Sequence, residues 1–103
     1  MAETAREYAG VYISHWEHQE LKIEVGRRFF GLFPKYESWE VHFPKDFDIG
    51  RIEMGDIGVF KYRLRCRGLA GPKGAYGHMG LNERQLFVTE VLELTMLSTP
   101  RAR

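Results

Sequence analysis

Four cations occupy alternate positions between Phe60 and Gly68: Lys61, Arg63, Arg65 and Arg67. Successive side chains of a strand point to opposite faces, so on a strand these four form one cationic stripe. Phe60, Tyr62, Leu64 and Cys66 then share the other face. A row of cations can track a phosphate backbone while nearby aromatics stack bases. Arg27 and Arg28 would extend such a row. An acidic protein partner is a second ligand for it. The ordinary reading is a solvated face balanced by Glu20, Glu24, Glu37, Glu40 or Glu93, because opposite charges on neighbouring strands attract. The 15 Lys+Arg against 14 Asp+Glu leave a net charge of +1. That near-neutrality favours the ordinary reading and gives no global pull toward nucleic acid or membrane.

Other reactive side chains do not assemble into a catalytic set. His15 and His18 in His15-Trp16-Glu17-His18 would point to opposite faces of a strand, and no Cys accompanies them, so no metal site is expected. The single cysteine, Cys66, falls on the apolar side of its strand and reads as inert core. A lone Cys makes no internal disulfide, which points to a reducing compartment and a cytoplasmic location. Glu17 and Glu90 sit among apolar residues; each is a candidate for a buried charge partnered by Arg84 or Tyr12, or for an edge position. His42 alternates outward beside Trp39 and Val41. No phosphate-binding Gly-x4-Gly-Lys-Ser/Thr occurs. With no nucleophile or acid–base pair in view, the expectation is a protein that is not an enzyme and holds no cofactor.

Glycines recur at 68, 71, 74, 77 and 80. Five are too few for a collagen helix, although the period is the same. Gly71-Pro72-Lys73-Gly74 matches the GXXG clamp of a KH domain, but the flanks read as strands where that domain needs helices. The segment is therefore a long turn whose glycines permit positive φ. Tyr76, Gly77, His78 and Gly80 are read as a structural pin for the last strand. In this reading Tyr76 and Met79 turn inward to cap the barrel, and His78 bonds to loop backbone.

The elements that must position these residues are strands. Val11-Tyr12-Ile13 is rich in β-formers. Leu21, Ile23 and Val25 alternate with charges and end at Gly26. An aromatic strand over 29–33 is closed by Pro34, and a strand with Trp39, Val41 and Phe43 is closed by Pro44. Residues 45–58 read as a loop with a short strand near 51–54. The clearest strand is 59–67. A last strand over 85–94 slips its alternation at Glu90–Val91, which predicts a bulge or bend. With 103 residues there is one domain. It divides into an N-terminal extension (1–8), a β-barrel (9–97) and a basic tail (98–103). The polar N-terminus is unlike a signal peptide, and no apolar run reaches the ~18 residues of a membrane helix. The expected fold is all-β and helix-poor: a small five- to six-stranded OB-like barrel, since closure removes exposed strand edges.

Tyr76-Gly77-His78-Met79-Gly80 followed by Arg84-Gln85-Leu86-Phe87-Val88-Thr89-Glu90-Val91 resembles an OB-like bacterial β-barrel family of uncharacterised function, as does Gly10-Val11-Tyr12 with Glu17 upstream. That family has a Tyr-Gly-His-x-Gly loop leading into an Arg-x-Leu-x-Val-x-Glu-Val strand. The resemblance covers under half the chain and implies a fold more than a function. OB-like barrels bind oligonucleotides, oligosaccharides or proteins on one sheet face. The function expected is a non-enzymatic binding module of unidentified ligand, a protein partner first, with single-stranded nucleic acid on the Lys61–Arg67 face as the alternative and a small enzyme with an unrecognised site as the second.

Overall fold

The computed structural model describes residues 4–15, 19–28, 31–52 and 59–98, with the side chains of residues 27, 28, 78 and 98 outside the description. Five strands are present: β1 (Arg6–Ser14), β2 (Gln19–Arg28), β3 (Phe33–His42), β4 (Phe60–Ala70) and β5 (Arg84–Ser98). They form one sheet that closes on itself in the order β1-β2-β3-β5-β4 and back to β1. Four pairings are antiparallel and one, β3 with β5, is parallel. The only helical pieces among the described residues are two 3-10 turns, Ile49–Arg51 and His78–Gly80. The all-β, helix-poor expectation is met.

Alternation dictates the inside of the ring. Tyr12, Leu21, Ile23, Trp39, Tyr62, Leu64, Cys66, Leu86 and Val88 are buried, and Ile52 joins them from the β3–β4 connection. Phe43 and Phe47 of the same connection stack on each other, with Tyr12 edge-on to Phe43. Burying a side chain such as Leu64 stabilises the fold by roughly 1.5–3 kcal/mol. At Gly10 β1 lies tight against β2: a Cβ there would overlap the carbonyl oxygen of Lys22. Beyond Val11↔Lys22 the two strands part, and their ladder stops.

Several boundaries differ from the sequence reading. β1 starts at Arg6, because its first half is held by pairing with β4 from Arg6↔Gly68 onward rather than by its own β-formers. Gly26 does not end β2; it follows a bulge, between Glu24 and Gly26, that carries the strand on to Arg28. No separate strand runs over the aromatic segment: Gly31 and Leu32 form a turn, residues 29 and 30 lie outside the description, and β3 begins at Phe33. Pro34 sits inside β3, opposite Arg27. It is tolerated because β5 joins β3 only at Trp39–His42, so the missing N–H interrupts no second ladder. Near 51–54, Arg51 closes a 3-10 turn capped by Asp48, and residues 53–58 lie outside the description. β5 is longer than expected, and the expected slip appears as register shifts opposite Arg65/Cys66 and Arg67/Gly68, on either side of Glu90–Val91. Residues 99–103 of the expected tail are outside the description.

Candidate functional site

The stripe on β4 forms as alternation requires, on the outside of the ring. Its charge is partly spent on neighbours. Arg65 lies 3.5 Å from Glu7 and 3.7 Å from Glu93, and Arg67 lies 3.9 Å from Glu90. Lys61 and Arg63 make no ion pair among the described residues. Of the five balancing carboxylates foreseen, Glu93 takes that role here; Glu7 and Glu90 are additional. Glu90 is exposed rather than buried, and Arg84 serves a different carboxylate. Exposed pairs of this kind contribute roughly 0–1 kcal/mol each. Arg27 and Arg28 stand at the far end of β2, with β1 between them and β4, and their side chains are outside the description.

Cys66 is fully buried, and burial, with Glu7 adding to it, pushes its thiol up to about 11. Such a thiol is not a nucleophile at neutral pH. Tyr12, likewise buried, has its phenol raised to about 12 by desolvation. His15 lies at the end of β1, and residues 16–18, including Glu17 and His18, are outside the description. Among the described residues no three His, Cys, Asp or Glu side chains gather as metal ligands. His42 is exposed; its ring stacks on Phe87 and contacts Glu40, 2.8 Å away.

The glycine loop has positive φ at Gly77 (73°) and Gly80 (67°). Tyr76 and Asn82 exchange main-chain hydrogen bonds of 2.8 and 3.0 Å, and the Tyr76 hydroxyl donates to Pro72. Met79 is not an inward cap. It also has positive φ (56°), which turns it outward to 83% exposure. Asn82 is the buried residue of this loop, and its amide donates to the Gln19 carbonyl. The His78 side chain is outside the description, so its expected bond to loop backbone is too.

The most concentrated polar chemistry lies elsewhere, at the end of the ring where β1 and β2 part. Glu37 on β3 shares the inner face with Trp39 and is only 4% exposed. One carboxylate oxygen accepts from the Trp39 indole N–H at 3.0 Å and lies 3.7 Å from Arg84; the other is 3.1 Å from Lys73. Arg84 also donates to the Gly71 carbonyl, so one carboxylate and one guanidinium fasten the glycine loop to β3. Tyr8 packs edge-on against Trp39. Above them is an open depression of about 420 Å³ lined by Tyr8, Val25, Lys35, Glu37, Trp39, Ala70, Lys73 and Arg84. A second depression, reaching Thr4 and Arg6, shares Tyr8 and Ala70 with it. The sequence reading put Glu37 on the outside; its two-residue spacing from Trp39 was the signal for an inner position.

The Trp39 hydrogen bond, with Lys73 and Arg84, holds the Glu37 carboxyl below its ordinary value against the opposing effect of burial. A depressed folded value means the stabilisation is complete above the unfolded carboxyl value, about 4.3, and is lost as pH falls through the folded value. Glu37→Gln keeps the acceptor for Trp39 and removes the charge. Its deficit in urea midpoint against wild type is therefore expected to be largest near pH 7 and to shrink below pH 4. A deficit constant from pH 7 to pH 3 would show that the charge contributes nothing.

No family model, curated protein or solved structure matches the chain.

Proposed function

We propose that this protein is a non-enzymatic binding module whose ligand is another protein, engaged at the β2–β3 hairpin. The observation that carries this is the exposure of three large apolar side chains on one hairpin, Leu32 (73%) in its turn and Phe33 (57%) and Tyr36 (53%) on β3. Large apolar side chains left exposed on one element suit an interaction surface, and aromatics are enriched where proteins meet. The inert Cys66 thiol and the engagement of Glu37 with three neighbours support a binding role over catalysis. The lone cysteine fits a reducing, cytoplasmic setting; among the described residues no helix is long and apolar enough to cross a membrane. Membership of the bacterial OB-like family belongs to this proposal, supported by the ring order and by positive φ at Gly77 and Gly80 in the shared loop motif.

A photo-crosslinking amino acid in place of Tyr36 tests the reading in lysate of the source cells. Protein adducts that survive nuclease treatment are expected. Adducts that nuclease removes would replace the protein partner with nucleic acid.

The nucleic-acid alternative rests on Lys61 and Arg63, the stripe cations that make no ion pair among the described residues. If it holds, the wild type binds single-stranded DNA or RNA at low salt, with affinity falling steeply as salt rises. Arg63→Glu with Arg65→Glu would then abolish that binding and leave the circular dichroism spectrum unchanged. No binding by the wild type at low salt ends this alternative.

A further inference from the structure

The parting of β1 and β2 leaves two strand edges facing each other. β1 from Arg6 to Gly10 pairs only with β4, and β2 from Ile23 to Arg28 pairs only with β3, among the described residues. Tyr8 of the first edge and Val25 of the second line the same depression. Unpaired main-chain edges are templates for another extended chain, and proteins that do not use them usually cover or charge them.

The charge around this slot is one-sided. Lys35, Lys73 and Arg84 line it, and Arg6 lies in the adjoining depression. The single carboxylate among them, Glu37, is already engaged by Lys73, Arg84 and Trp39. Glu7 and Glu24 alternate to the outer face, and Glu7 is drawn to Arg65. Four cations against one satisfied carboxylate favour an anionic occupant.

We infer that the slot between β1 and β2 accepts an extended acidic segment of a partner protein, which adds as a strand to the open edges. This rests on the binding-module reading above and names the chemistry of the partner. A peptide is favoured over nucleic acid by the edges themselves. A strand edge presents both N–H donors and C=O acceptors, and a peptide answers both. A sugar–phosphate backbone of DNA offers acceptors alone and would leave the edge carbonyls unmet.

The test uses the full chain and four fluorescein-labelled probes read by anisotropy at low salt. They are an alternating Glu–Val octapeptide, its Lys–Val counterpart, the Glu–Val peptide N-methylated at every second residue, and an eight-nucleotide oligo(dT). The Glu–Val peptide is expected to bind at least tenfold more tightly than each of the other three. Lys35→Glu, at an exposed position, is expected to weaken it at least fivefold. Equal binding of the N-methylated peptide would overturn strand addition. Tighter binding of oligo(dT) would transfer the slot to nucleic acid. If no peptide binds while the crosslinker at position 36 still captures protein, the slot proposal fails and the binding-module reading stands.

Discussion

Gly10→Ala is expected to lower the stability of the fold by about 3 kcal/mol, while Gly26→Ala leaves it within about 0.5 kcal/mol of wild type. The methyl group at position 10 would overlap the Lys22 carbonyl oxygen and approach Leu21 Cδ1 to 3.1 Å. The first of these is backbone in the partner strand, so relief requires β1 and β2 to separate where their short ladder is anchored. That ladder has four residue pairs, from Val11↔Lys22 to Ser14↔Gln19, and little can be surrendered before the ring opens. At Gly26 an added Cβ meets nothing within 4 Å. Urea midpoints of the two variants measure the difference. Coincident midpoints would show that β1 and β2 are not in close contact at Gly10. A loss of about 3 kcal/mol is a large part of the ~5–15 kcal/mol that holds a domain folded.

Gly77→Val is expected to cost about 1–3 kcal/mol, and more than Gly31→Ala. Both glycines have positive φ, 73° and 84°. A residue with a Cβ held there is strained by roughly 1–2 kcal/mol, and branching at Cβ adds to it. The sites differ in their surroundings. At Gly31 an added Cβ meets open space, whereas at Gly77 it would lie 2.5 Å from the Asn82 amide nitrogen and 3.1 Å from a Glu40 oxygen. Asn82 would have to move, and its hydrogen bond to Gln19 would be lost, leaving buried amide groups without partners. Chemical denaturation of the two variants decides this. A Gly77→Val midpoint equal to that of Gly31→Ala would show that Asn82 is free to yield and that the loop does not pin the last strand.

The strands legible in the sequence were those with one face in the core. Phe60 to Cys66 and Leu21 to Val25 alternate cleanly, and the structure buries the apolar member of nearly every pair. What alternation could not show was where strands cease to be paired. Pro34 and Gly26 looked like terminators because each is unfavourable in a strand held on both sides. Here they stand in a hairpin that has one ladder only. The beginning of β1 was hidden for the opposite reason: Arg6, Glu7 and Ala9 are poor β-formers, and their pairing with β4 overrides local preference. The cationic stripe was readable at once, but its neutralisation depends on Glu7 and Glu90, which lie on strands whose register no spacing rule provides. Glu37 was readable in principle from Trp39. Its carboxylate was assigned to the outer, charge-balancing face because charged residues are so rarely found on an inner one.

The parallel pairing of β3 with β5 has a consequence for how the molecule is made. Trp39–His42 wait for Arg84–Phe87, and β1 at Arg6 waits for Gly68. The pairings of consecutive strands can form in sequence, but the ring cannot close until β4 and β5 have emerged; a growing chain that has reached β3 is an open meander with unclosed margins. Closing distant segments carries an entropic toll before any contact rewards it, so this topology belongs to the slower-folding class, milliseconds to seconds. During that interval the emerging meander exposes the aromatic hairpin and the future slot at once, and both are surfaces on which a chaperone or a second nascent copy could act first.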